Sequence, residues 1–170
     1  MKINNKGFTI VELLVTIGFI AILVILSVTM GRSALQRSSF TAAINQFVAD
    51  FSYARQLASR ENRYVAIVIN PGGTAYTIRI QRKIGLDLSN PNNYMDDKTV
   101  EPLEGEQFFS SASSFAVNSV GVIRAYPVNV NASPITVTLT CVKKRMSGEI
   151  DYKRTLTIFP SGGIKIENTK

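Results

Sequence analysis

The chain has no histidine and a single cysteine among its 170 residues. Without an imidazole there is no Ser-His-Asp relay, and the commonest metal ligand is missing. Cys141 has no second thiol to pair with, so no intramolecular disulfide forms. With no histidine to activate it, the thiol reads as a small buried hydrophobe on a strand. Gly72-Gly73 and Gly162-Gly163 lack the spacing of a phosphate loop or a dinucleotide site and read as turns. No proline precedes Pro71. No catalytic residue, cofactor or metal site is expected, and the chain is not read as an enzyme.

What the chain has is one long apolar run. From Phe8 to Met30 it is apolar apart from Thr9, Glu12, Thr16, Ser27 and Thr29, with Gly18 and Ala21 as small positions. About 20 such residues span a bilayer as a helix. Lys2 and Lys6 precede the run. The stretch is too long for an ordinary secretory signal, and no small-x-small cleavage site follows it. A cut after Gly7 removes the basic leader and leaves the apolar helix in place. It also creates an ammonium at Phe8, close in sequence to Glu12. A carboxylate at membrane depth costs about 2.5–3.5 kcal/mol on insertion scales, and a nearby cation offsets that cost. The cation comes from the same chain or from a neighbour; in the second case the pair sets register between stacked helices. The alternative is a Glu12 solvated among headgroups and favoured by the helix dipole. Lys2, Lys6 and the initial amine argue for a cytoplasmic N-terminus, against competition from Arg32 and Arg37. The bulk of the chain is then outside the cytoplasm.

Beyond the run the pattern becomes amphipathic. Phe40, Ile44, Phe47, Val48, Phe51, Ala54 and Ala58 recur at three- and four-residue steps, extended by Leu57. Gln46, Asp50, Arg55, Ser59 and Arg60 are assigned to the other side. One helix is predicted from about Phe8 to about Arg60. At Tyr64 the period switches to two. Tyr64–Ile69 and Ala75–Gln81 are predicted as a hairpin around Asn70-Pro71-Gly72-Gly73. A polar loop is expected from about Gly85 to Asp97. Phe108-Phe109, Phe115–Val117, Val120–Ile123, Ile135–Val142, Thr155–Phe159 and Ile164–Ile166 are the remaining apolar segments, most of them predicted strands. The fold class is α+β: a long N-terminal helix packed on an antiparallel β-sheet or β-sandwich head. The divisions are a leader over 1–7, a transmembrane half-helix over 8–30, an amphipathic half-helix over 31–62 and a β-rich head over 63–170.

Gly7-Phe8-Thr9-Ile10-Val11-Glu12-Leu13-Leu14 followed by an apolar helix resembles the class III signal of type IV pilins and type II secretion pseudopilins. The resemblance implies that a prepilin peptidase cuts between Gly7 and Phe8 and methylates the Phe8 amine. It implies that Glu12 pairs with the N-terminus of a neighbouring pilin or pseudopilin subunit. It implies insertion in the inner membrane as a single pass, with a periplasmic head that is assembled into a pilus or pseudopilus. The soluble part resembles the H-type minor pseudopilins and the FimT/FimU-like minor pilins. That second resemblance rests on Phe51–Ala58, on Arg60–Ile67 and on Phe159-Pro160-Ser161-Gly162-Gly163. The chain departs from disulfide-bearing pilins, since Cys141 is alone.

Charge is unevenly spread within a formal net of +7. Asp87, Asp96, Asp97, Glu101, Glu104 and Glu106 crowd the centre. Their spacing fits no EF-hand loop, so they read as a solvated acidic loop rather than a calcium site. Basic residues prevail after Arg124. Some FimT-like proteins bind DNA through a basic C-terminal region, which gives an alternative function: a DNA-binding minor pilin of an uptake system. Its contacts would be Lys143, Lys144, Arg145, Lys153 and Arg154. The tail Ile166–Lys170 carries no arginine, and Lys or Arg also blunt sheet edges.

Overall fold

The change of period at Tyr64 is followed closely by the backbone. The structure is a computed structural model that describes residues 9–101, 106–110, 114–144 and 150–168, with backbone alone at 28–36, 106–110, 144 and 150–151. The helix α1 runs Ile10–Glu61. It stops where Asn62 takes a left-handed conformation, φ 52°. The Arg63 N–H then donates to the Ala58 carbonyl at 3.1 Å, which satisfies an otherwise orphaned helix-end acceptor.

Among the described residues nine strands follow: β1 Val65–Ile69, β2 Tyr76–Gln81, β3 Tyr94–Val100, β4 Glu106–Ser110, β5 Ser114–Val117, β6 Ile123–Ala125, β7 Val137–Lys144, β8 Ile150–Ile158 and β9 Ile164–Asn168. They form a five-stranded sheet in the order β3-β2-β1-β5-β6 and a four-stranded sheet in the order β4-β7-β8-β9. All the pairings are antiparallel. The α+β class with two antiparallel sheets agrees with the sequence.

The chain divides into two units, Met1–Ser38 and Ser39–Lys170. In the first, every described side chain from Thr9 to Ser27 is exposed. In the second, the stripe of α1 is the centre of the core. Phe40, Ile44, Phe47, Phe51, Ala54, Leu57 and Ala58 are buried with residues of both sheets, among them Ile67, Ile78, Phe115, Leu139 and Leu156. Strand alternation sends Ala66 and Ala116 to the opposite face of the five-stranded sheet. There they meet Tyr94 and Val128, and the Tyr94 and Tyr126 rings pack edge to face at 5.0 Å.

Three expectations shift, the first at Val120–Ile123, where Val120 lies in a turn and the strand, β6, begins only at Ile123. The segment read as loop up to Asp97 is shorter, because β3 begins at Tyr94. Asn90 caps a single 3-10 turn over Pro91–Asn93, its side chain accepting the Asn92 N–H at 3.0 Å. β3 is an edge strand, held by its pairing with β2. Only Tyr94 along it is buried, so it carries no apolar alternation to read. β8 begins at Ile150, earlier than the apolar segment at Thr155 indicated.

Two turns meet on α1 through Arg55. Its Nη1 donates to the Gly162 carbonyl at 3.0 Å, and the guanidinium stands 6.0 Å from the Phe51 ring centroid. The Ile123 N–H donates to the Pro160 carbonyl at 3.0 Å, joining the same turns. Gly162 has φ +81°, and a Cβ there would lie 2.9 Å from the Gly121 carbonyl oxygen. Gly162→Ala therefore combines backbone strain with a clash against main chain, and is expected to cost about 1–3 kcal/mol or more. At Gly163 the nearest neighbour is the Phe159 ring at 3.7 Å, so Gly163→Ala stays within about 0.5 kcal/mol. Denaturant unfolding midpoints of the two variants check the contrast.

Candidate assembly site

Glu12 lies in the first turn of α1, exposed, within a span whose other described side chains carry no charge. Its backbone N–H donates to Thr9 Oγ1 at 3.3 Å. Thr9 thus caps the helix and Glu12 occupies the third helical position, the Thr-x-x-Glu spacing of a capping box. The positive end of the helix dipole favours a carboxylate there. Thr16 and Ser27 return their hydroxyls to main-chain carbonyls, Thr16 to Glu12 and Leu13 at 2.9 and 2.8 Å, Ser27 to Leu23 at 2.8 Å. The polar groups of the span are therefore satisfied along the helix itself, leaving the Glu12 carboxylate as its one charged group. Ile10–Ser27 is long and apolar enough to cross a membrane, and none of it is buried within the chain. Gly7 and Phe8 lie outside the described residues.

The basic residues of the second unit do not share one face. Lys143 pairs in register with Tyr152, and Cys141 with Arg154. Cys141 is buried in the core, so this row faces α1. Lys143 Nζ donates to Ser39 Oγ at 3.1 Å. The Arg154 guanidinium stands 6.0 Å from the Phe40 ring, on which Tyr152 also stacks at 5.9 Å. Lys153 pairs with Val142 on the opposite face of the sheet. The side chain of Lys144 and the whole of Arg145 lie outside the described residues. In the acidic stretch, Asp96 is paired with Arg79 at 2.6 Å and Asp97 accepts from the Tyr53 hydroxyl at 2.9 Å.

One polar cluster was assigned to the wrong side of the helix by sequence. Asp50, placed there on the solvent face, is buried at 4% exposure. It accepts from Lys98 Nζ at 2.7 Å, the Tyr76 hydroxyl at 2.8 Å and Gln46 Nε2 at 3.1 Å. Spacing held the signal: Asp50 is three residues after Phe47 and four before Ala54, on the apolar stripe. Burial, the largest single influence, pushes its carboxyl up; the bonds from Lys98, Tyr76 and Gln46, with the Lys98 charge, outweigh it and hold the group below its ordinary value. Burial, followed by the bond to Asp50, pushes the Tyr76 phenol up. The cluster fastens the edge strand β3 to the helix.

A long helix whose apolar span is uncovered, continuing into a stripe enclosed by two antiparallel sheets, defines a pilin-like subunit. The fold is shared with the type IV minor pilin FimU of Pseudomonas aeruginosa, at 17% identity, TM-score 0.55, over 78% of this chain and 90% of that one. A second crystal form of FimU gives TM-score 0.52. The minor pseudopilin EpsH from the type 2 secretion system of Vibrio cholerae matches at 14% identity and TM-score 0.52, over 75% of this chain and 94% of that one. No curated protein matches the chain in sequence. The chain belongs to the GspH family, type II transport protein GspH, whose family model matches residues 43–162. Family and fold are those of structural pilin subunits rather than enzymes, and the apolar N-terminal helix fits a single-pass, membrane-anchored pilin.

The Asp50 cluster gives a pH dependence of known sign. A carboxyl depressed in the folded state contributes stability that is complete above its unfolded value near 3.8 and lost as pH falls through the lower folded value. Asp50→Asn is expected to flatten the acid limb of unfolding measured between about pH 5 and 2. Lys98→Met leaves the buried carboxylate short of one donor and is expected to cost about 1–3 kcal/mol at neutral pH, read by denaturant unfolding.

Proposed function

We propose that this chain is a minor pilin or pseudopilin, a structural subunit of the initiating or tip complex of a type II secretion pseudopilus or type IV pilus. The observation that carries the reading is the uncovered span Ile10–Ser27 with its single carboxylate at Glu12. Hydrocarbon covers the span while the subunit waits in the membrane, and neighbouring helices cover it in the fibre. A prepilin peptidase removes residues 1–7 by cutting between Gly7 and Phe8 and methylates the new Phe8 amine. The mature chain crosses the inner membrane once, with its head in the periplasm.

Pairing between the Glu12 carboxylate and the Phe8 ammonium of an adjoining subunit then supplies register. Apolar contact alone is non-directional, so a span of Ile, Leu and Val slides and rotates at little cost. A charge pair in hydrocarbon does not, because a one-turn slip strands both ions. The capping position of Glu12 places the carboxylate at the entry of the helix, close in sequence to the new amine.

Mass spectrometry of the protein isolated from cells is expected to show a chain beginning at a methylated Phe8. Gly7→Ala is expected to leave precursor uncut, and a wild-type chain still beginning at Met1 would sink the reading. Glu12→Ala is expected to insert in the membrane normally but to lose most of its incorporation into sheared fibres. Wild-type incorporation of that variant would remove the pairing mechanism and leave the processing intact.

A further inference from the structure

We propose that the open edge of β9 is a self-recognition surface that takes β9 of a second copy of this chain as its antiparallel neighbour. The surface lies wholly within the second unit and does not depend on the fate of the apolar span. β9 ends the order β4-β7-β8-β9, so among the described residues it has a strand on one side only. Its sequence is Ile164-Lys165-Ile166-Glu167-Asn168. β6, an edge of the other sheet, is not open in the same way. There the Ile123 N–H donates to the Pro160 carbonyl at 3.0 Å, and the Ile123 carbonyl accepts from the Ile135 N–H at 3.1 Å.

The hairpin geometry decides which groups face outward. The Phe159 N–H donates to the Gly163 carbonyl at 2.8 Å and closes the turn between β8 and β9. Bonded and non-bonded pairs alternate along an antiparallel ladder. Counted from that closing bond, Thr157↔Lys165 and Thr155↔Glu167 are the pairs bonded inside the sheet, and Ile158↔Ile164, Leu156↔Ile166 and Arg154↔Asn168 are the pairs that are not. The main-chain N–H and C=O groups of Ile164, Ile166 and Asn168 therefore point to the open edge. Side chains divide the same way. Ile166 pairs with the buried Leu156, so Ile164 and Ile166 are on the helix-facing side of the sheet and Lys165 and Glu167 on the other.

This edge is complementary to itself. About a two-fold axis through Ile166, that residue opposes its own counterpart and Ile164 opposes Asn168. These are the positions whose free N–H and C=O groups meet. Lys165 then stands opposite Glu167 of the second copy, and Glu167 opposite Lys165 of the second copy, at the non-bonded pairs where cross-strand side chains lie closer. Lys165 Nζ and Glu167 Oε1 already attract within the chain at 2.6 Å. Pairing completes a square of four charges in which every neighbour has the opposite sign. The two exposed Ile166 side chains meet on the helix-facing side, and the two four-stranded sheets become one. The edge strand β3 lacks this property: any two-fold through Asp96, Asp97 or Lys98 sets a charge against itself. Charged residues commonly protect an edge, but opposite signs two residues apart make a copy of the same strand the matching neighbour. The contact is small beside a permanent interface, so it forms and parts readily.

Disulfide trapping of the full chain in detergent micelles tests the pairing. Ile166→Cys is compared with Met95→Cys on β3, since the parent side chains are similarly exposed, 45% and 40%. The native Cys141 is buried. Association through the apolar span raises encounter equally for both new thiols. Opposed residues of a bonded pair lie about 5.5 Å apart, within disulfide reach. Ile166→Cys is therefore expected to give at least about fivefold more crosslinked dimer than Met95→Cys under the same oxidant. Adding Glu167→Lys to Ile166→Cys sets like charges opposite each other and is expected to lower the yield about tenfold. Adding Lys165→Glu as well restores opposite signs and is expected to restore the yield. Equal yields from the two cysteines overturn the proposal, as does a doubly exchanged variant that stays as low as Glu167→Lys. Crosslinking of Ile166→Cys in cell membranes to a different pilin-like subunit, with no dimer of its own, assigns the edge to that subunit and also overturns it. These outcomes leave cleavage at Gly7 and the role of Glu12 untouched.

Discussion

An apolar helix surface must be covered, and this chain has two such surfaces on α1. The stripe from Phe40 to Ala58 is covered within the chain, where both sheets close on it and one core results. No described residue covers the span Ile10–Ser27. Leaving that many Leu, Ile and Val side chains in water costs about 1.5–3 kcal/mol for each large one, far more than a domain's net stability. That imbalance fits the helix of a membrane-anchored pilin.

Burial alone does not fix how the helix sits in its head. Directed polar contacts supply what the stripe lacks. Asp50 ties one side of α1 to β2 and β3 through Tyr76 and Lys98. Arg55 ties another side to the Gly162 turn, and that turn is joined to β6 by the Pro160–Ile123 bond. Phe51–Ala58 and Phe159–Gly163, far apart in the sequence, are thus two halves of one contact. A ring, a guanidinium and two glycine turns fit together, and each residue type follows from that fit.

Much of this was legible because period reports burial. The helix, its stripe and the β1–β2 hairpin follow directly from spacing, as does the uncovered span. The α+β class came from the change of period near Tyr64. β3 was missed because an edge strand with solvated side chains has no alternation. Asp50 was misplaced because its charge was weighed above its position, although Phe47 and Ala54 bracket it on the stripe. The sides taken by Lys143, Lys153 and Arg154 depend on the register between β7 and β8, and register between distant strands is not written in either strand alone. The capping role of Thr9 was present in the Thr-x-x-Glu spacing, overlooked beside the louder oddity of an acid in grease.

Cys141, at 2% exposure, is shut inside the sandwich between Phe108 on β4 and Arg154 on β8. A head with one enclosed thiol needs no oxidative folding machinery and cannot lock itself into a wrong crosslink. The head is consequently held closed by packing and hydrogen bonds alone, with no covalent crosslink to make or break when it opens.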